Sequence, residues 1–176
     1  MDRLPILPLG VAVYPHVVVP LAISDSRAVR MIDEVVQGQK RLLLGVVRPA
    51  DEVGTPEGTI MDAGPEQLYE VGTLASVVRM LKLGDGTMRV MIQGLDRARL
   101  SEISATAVGL EAGYEVLVED VTEDARTEAL KRTVQGQFTR VIDLAPYLGD
   151  ELHGVVAGIT EPGKLADFVA ANLDIA

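Results

Sequence analysis

The residues of this 176-residue chain that could do chemistry are two histidines, five serines, a glycine pair and a run of loop acids. His16 and His153 lie far apart, and neither belongs to an H-E-x-x-H or paired-histidine spacing, so surface or loop roles are expected rather than metal binding. None of Ser24, Ser26, Ser76, Ser101 and Ser104 sits in the G-x-S-x-G elbow that presents a nucleophile. Helix capping and strand surfaces are the expected uses. Gly84 and Gly86 lack the G-x-x-x-x-G-K-[ST] frame whose amides and lysine hold a nucleotide, and a hairpin turn accounts for them. The acids between Pro49 and Glu66 lack the D-x-[DN]-x-[DN]-G order of a calcium loop, so a solvated loop is expected there. No constellation activates a nucleophile, and the chain reads as non-catalytic, with no cofactor of its own.

Bulk properties narrow the classes further. A net charge of −10 repels a phosphate backbone, and an aromatic content of 3% leaves few rings to stack bases, so nucleic acid is not an expected partner. Apolar runs such as Leu42 to Leu44 and Val17 to Val19 fall far short of the roughly 20 residues that cross a bilayer. Asp2, Pro5 and Pro8 stand where a signal peptide would carry a basic and then an apolar helical segment, so neither membrane nor secretion is indicated. The absence of cysteine fits a reducing cytoplasm.

The elements that must position any site follow from periodicity. Leu7, Leu9, Val11 and Val13 alternate with smaller residues, the period of a strand, with prolines marking it as an edge or interrupted one. After Val17 to Ile23, Ser24-Asp25-Ser26 offers N-caps for a helix carrying Ala28, Val29, Ile32, Val35 and Val36, which Gly38 can end. Leu42 to Val47 reads as a buried strand. Further strands are expected at Val77 to Leu83, Met88 to Ile92, Ala98 to Ile103 and Tyr114 to Val118, giving about six strands and one helix before residue 120. From Thr122 the pattern turns helical, with Leu130, Val134, Phe138, Val141 and Ile142 as one stripe. Pro146 closes that helix, Glu151 to Ile159 forms a second, and Pro162 opens a third. Residues 1–118 hold 15 acids and 11 bases, a net of −4, and 119–176 hold 11 and 5, a net of −6. An α+β chain results, with a β-rich region at 1–118 and a helical one at 119–176.

The hairpin around Gly84-Asp85-Gly86-Thr87 is the sharpest local signal. A two-residue Asp85-Gly86 turn pairs Leu83 with Met88 and Leu81 with Val90, and places Lys82 opposite Arg89 and Met80 opposite Met91. Methionine fills cores more often than it lines surfaces, yet it is over-used on promiscuous binding surfaces. Met80 and Met91 are therefore expected chiefly in the core, while Leu83 and Met88 project at the tip. Together with proline-bounded Pro20, Leu21 and Ile23, these residues form the candidate apolar contact surface.

Three segments resemble a known family, the N-terminal domain of Lon proteases. They are Leu4-Pro5-Ile6-Leu7-Pro8-Leu9 running through Val13-Tyr14-Pro15 to Val18-Val19-Pro20-Leu21; Leu68-Tyr69-Glu70-Val71-Gly72-Thr73-Leu74-Ala75 continuing to Gly94-Leu95-Asp96-Arg97-Ala98-Arg99; and Glu161-Pro162-Gly163-Lys164-Leu165-Ala166-Asp167. The resemblance implies a PUA-like six-stranded pseudo-barrel with one helix, followed by a small α-helical subdomain. It implies a parent that is a cytoplasmic homo-hexamer, using ATP and Mg to unfold damaged proteins and a Ser-Lys dyad to cleave them. This chain holds neither a nucleotide loop nor the dyad and is expected to stop before those modules. The expected role is capture of exposed apolar stretches of unfolded or damaged proteins for delivery to the ATPase and protease core. The alternatives are an assembly or spacer module contacting other Lon subunits, a stand-alone PUA-like binding protein, and, on fold alone, RNA binding.

Overall fold

Leu42, Leu43 and Leu44 are all buried, which a strand achieves only when both of its faces are covered. They belong to β3 (Arg41–Val46), which pairs in parallel with β1 (Arg3–Leu9) and antiparallel with β4 (Val71–Lys82). The fold is a computed structural model describing residues 2–49, 60–119, 121 and 124–173. It divides into two units, Met1–Leu117 and Val118–Ala176. In the first, β2 (Val18–Ile23), α1 (Ser26–Gln37), β5 (Met88–Ala105) and β6 (Leu110–Val116) complete a mixed six-stranded sheet of order β2-β5-β4-β3-β1-β6, closed by β5 pairing with β6. The fold class is α+β.

Two cores sit on the two faces of this sheet. Leu42 and Leu44 join Leu7, Leu9, Ile23, Met88, Val90 and Ile92 beneath α1, whose Ala28, Met31, Ile32 and Val35 point inward. Leu43 joins Ile6, Leu68, Leu74, Ala98 and Leu100 on the other side. The Asp25 carboxylate caps α1 by accepting from the Arg27 backbone N–H at 2.8 Å. Gly38 ends the helix by donating to the carbonyls of Glu34 and Val35.

Three features depart from the sequence-based expectation. β1 stops at Leu9, and Val11 is exposed, because residues 10–17 leave the ladder to cross β5. That crossing is pinned by Thr73 Oγ1, which donates to the Val13 carbonyl at 2.6 Å, and by the His16 N–H, which donates to the Gly94 carbonyl at 2.9 Å. His16 adopts a φ of 64°, so its role is that of a turn residue. The segments expected as separate strands at 88–92 and 98–103 are one strand, β5, which bends through irregularities opposite Leu74/Ala75 and between Ser101 and Ser104. Glu102, at φ 49°, lies in the second of these. The last strand lies earlier than Tyr114 to Val118, at β6.

The second unit holds α2 (Ala125–Leu144), α3 (Glu151–Gly158) and α4 (Pro162–Asn172). Phe138, Ile142, Val156 and Leu165 form its core, and Phe138 meets Phe168 edge to face with ring centroids 6.2 Å apart. Leu130, expected on the buried stripe, is exposed. The expected loop from Pro49 to Glu66 lies partly outside the described residues; its described end folds into a 3-10 turn at Pro65–Gln67.

Candidate functional site

The turn chemistry of the hairpin decides which side chains reach solvent. The Leu83 N–H donates to the Thr87 carbonyl at 2.8 Å and the Gly86 N–H donates to the Leu83 carbonyl at 3.2 Å, so the loop has three residues, Gly84, Asp85 and Gly86. Gly86 takes a φ of 84°, the left-handed position that closes such a loop. The Asp85 carboxylate accepts from Thr87 Oγ1 at 2.6 Å and from the Thr87 N–H at 2.9 Å. The Thr87 hydroxyl and amide hold that carboxyl below its usual range.

One residue more in the loop than expected shifts every pair beyond it. Lys82 lies opposite Met88, Leu81 opposite Arg89, Met80 opposite Val90 and Arg79 opposite Met91. Because side chains alternate across a strand, this slip puts Leu81 and Arg79 on the face of Arg89 and Met91, and Lys82 and Met80 on the face of Met88 and Val90. Met88, a candidate for the projecting tip, is instead 0% exposed beneath α1. Ile23, also a candidate contact, pairs with Met88 and is likewise 0% exposed, so both are corrected to core residues. The reason is the helix: α1 covers this face, and Lys82 Nζ reaches Asp33 Oδ2 on it at 2.7 Å. Met80 and Leu21 are half-buried against the same core. Met91, expected chiefly in the core, turns outward at 40% exposure.

The outward face therefore has its own membership. β2, β5 and β4 lie side by side, and their registers set Pro20, Met91 and Arg79 in one row and Ala22, Arg89 and Leu81 in the next. Val18 and Gln93 form a third row with Ser76. Pro20, Ala22, Val18, Met91, Leu81 and Leu83 are exposed, and so is Val78, which bulges from β4 between Val77 and Arg79. Of the sequence candidates, Pro20, Met91 and Leu83 reach this face, with Leu21 and Met80 at its underside. Val18, Val78, Leu81, Arg79 and Arg89 were missed; for Leu81 and Arg79 the signal was the spelling Gly84-Asp85-Gly86, which suits a three-residue loop. Arg79 and Arg89 form no ion pair with another described residue.

Other features of the first unit are smaller. Arg48 stacks its guanidinium 5.3 Å from the Tyr69 ring centroid, beside an open apolar cleft lined by Ala12, Val46 and Val71. Among the described residues no three His, Cys, Asp or Glu side chains gather as a metal site. No helix among them is long and apolar enough to cross a membrane.

An α+β pseudo-barrel whose outward sheet face, among the described residues, exposes Val18, Pro20, Met91 and Leu81 has the build of a binding module. Residues 3–176 match the family model described as the ATP-dependent protease La (LON) substrate-binding domain, and the chain belongs to that family. It is 34% identical over 176 residues to the Lon protease of Trichlorobacter lovleyi, covering 99% of this chain and 21% of that protein. It is also 34% identical over 174 residues to the Lon protease of Escherichia coli K12, covering 98% of this chain and 21% of that protein. The chain thus spans about a fifth of the length of the curated relatives it matches. Its fold is similar to the N-terminal domain of Mycobacterium avium complex Lon protease, with a TM-score of 0.76 at 18% identity over 99% of this chain and 85% of that one. The Lon N-terminal domain protein from Xanthomonas campestris matches with a TM-score of 0.59 at 14% identity, over 98% of this chain and 99% of that one.

Proposed function

We propose that the outward face of β2, β5 and β4 is where this substrate-binding domain holds exposed apolar segments of unfolded or damaged proteins. The observation that supports the reading is a set of neighbouring rows, with Pro20 beside Met91 and Leu81 beside Arg89, left uncovered in the described structure. Contiguous exposed apolar surface of this kind commonly marks a contact site. Met91 adds a flexible, polarisable side chain that adapts to varied sequences. Each domain binds weakly by itself, and several copies in a hexamer gain by avidity. In this reading ATP, Mg and peptide-bond cleavage belong to parts of a longer, cytoplasmic parent outside this chain, to which the captured segment is delivered.

The test is titration of a permanently unfolded, carboxymethylated model protein against the chain and against a Met91→Ser, Leu81→Ser double variant. Binding falls at least tenfold in the double variant, while Leu144→Ser, at an exposed position of the helical unit, binds like the parent chain. Equal binding by all three places the contact elsewhere.

A second reading, assembly with other subunits, is supported by Leu130, Leu144 and Tyr147, which stand exposed on the helical unit. Sedimentation of the chain separates the two: a stable oligomer at low micromolar concentration favours assembly, and a monomer that binds unfolded protein favours recognition.

A further inference from the structure

Among the described residues the sheet has one open side, and it borders the proposed contact face. β6 is closed on both sides, by β1 and by β5, whereas β2 pairs with β5 alone. In an antiparallel pair, alternate residues turn both main-chain groups toward the partner, and the residues between them turn both groups away. The Gly94 N–H donates to the Val17 carbonyl at 2.9 Å, which sets Val17, and hence Val19, Leu21 and Ile23, toward β5. Val18, Pro20 and Ala22 then turn outward. Pro20 confirms the phase, because a residue with no N–H belongs where the ladder asks for none. The open edge therefore presents the N–H groups of Val18 and Ala22 and the carbonyls of Val18, Pro20 and Ala22. Among the described residues, nothing outside the strand bonds to them.

We infer that the occupant of this edge is an extended segment of an unfolded polypeptide, added to β2 as a further strand through its backbone. The inference rests on the recognition reading above and specifies its mode. Main-chain pairing is blind to sequence, and only a chain stripped of its own secondary structure can supply unpaired groups in extended form. Charge favours segments that mix apolar with acidic residues. Arg89 lies opposite Ala22, whose side chain is a single methyl, so the Arg89 backbone is about 10 Å, two strand spacings, from an added chain, within reach of an arginine side chain with little between them. Arg79 lies one strand further in, in the row of Met91 and Pro20. Pro20 at the middle of the edge removes one donor, which discourages two copies of β2 from zipping together while leaving its carbonyl to accept from a guest.

The experiment uses the full 176-residue chain and a short fluorescein-labelled peptide in which Leu alternates with Thr and Asp, so that side-chain pattern fixes which face sits down. Two versions carry backbone N-methyl groups on alternate residues, one in each phase. Fluorescence anisotropy is expected to show one phase losing about tenfold or more in affinity and the other staying within about twofold of the unmodified peptide. Ala22→Pro, which deletes an outward N–H and no bond to β5, is expected to weaken the unmodified peptide by a similar factor with its melting temperature unchanged. Should Ala22→Pro fail to fold, the two peptide phases decide alone. Equal binding in both phases, or equal loss in both, overturns edge addition while leaving side-chain capture by the face intact. Failure of the unmodified peptide and of unfolded protein to bind at all overturns both. Sedimentation showing a dimer that Ala22→Pro abolishes assigns the edge to a second copy instead, and also overturns the proposal.

Discussion

Met88 and Met91 stand three residues apart on one strand, one sealed under α1 and the other facing solvent, so they separate stability from binding. Truncating a fully buried methionine to alanine costs about 2–5 kcal/mol, a transfer loss plus the cavity left behind. The first unit, Met1–Leu117, unfolds with an entropy of about 0.25 kcal/mol/K at roughly 2.1 cal/mol/K per residue, so a mid-range cost of about 3 kcal/mol lowers its melting temperature by about 12 °C. Met91 is 40% exposed, and burying a whole methionine contributes about 1.5–3 kcal/mol, so a guest that covers the remainder gains about 1 kcal/mol. Met91→Ser should therefore weaken binding about fivefold and leave melting within a few degrees. Calorimetry and anisotropy on an unfolded, carboxymethylated protein, both run well below the melting point of Met88→Ala, read the two effects apart. If Met88→Ala loses affinity while folded and Met91→Ser does not, the assignment of faces is refuted.

Other substitutions probe the supports of this face. Gly94→Ala drives a methyl into the Tyr14 carbonyl oxygen, a backbone atom that cannot step aside cheaply, and is expected to cost about 1–3 kcal/mol by calorimetry. Thr73→Val leaves the Val13 carbonyl without its 2.6 Å donor in a buried setting and should cost a similar amount, about 1–3 kcal/mol, in urea titrations. In the helical unit, the Asp124 carboxylate caps α2, and the backbone N–H of Thr127 holds its pKa below the ordinary 3.8. A depressed acid stabilises the fold fully above that ordinary value and loses its contribution as pH falls through the lowered one. Asp124→Asn is therefore expected to show a flatter acid limb below about pH 4 when helix content is followed by circular dichroism.

Periodicity made most elements legible, because burial on one or both faces leaves its period in the residues. Helix α1 announces itself through Asp25, the spacing of Ala28, Ile32 and Val35, and Gly38. The triple Leu42-Leu43-Leu44 announces a strand covered on both sides. What stayed hidden depends on non-local geometry. Val11 continues the alternation of Leu7 and Leu9, yet the chain leaves the sheet there, because its pinning partners are Thr73 and Gly94, far away in sequence. The candidate face was legible as a region and not as a list. Pro20, Met91 and Leu83 lie on it, whereas Met88 and Ile23 went inward because α1, which takes no part in the hairpin's pairing, covers their face, and Leu81 came outward because one extra loop residue moved the β4–β5 pairing by a single step.

The bulge at Val78 has a consequence for engineering. Val77 pairs with Ile92 and Arg79 with Met91, so Val78 is the one residue of this stretch that the ladder does not count. Deleting it joins two segments already in step, and every partner on either side keeps its place. Since bulges add local twist, the deletion straightens the arm while removing one outward side chain. Substituting Val78 by serine removes the side chain and keeps the twist. The pair of variants turns curvature into a dial that moves independently of composition, and a guest strand that must follow the curve of β2 will register the setting.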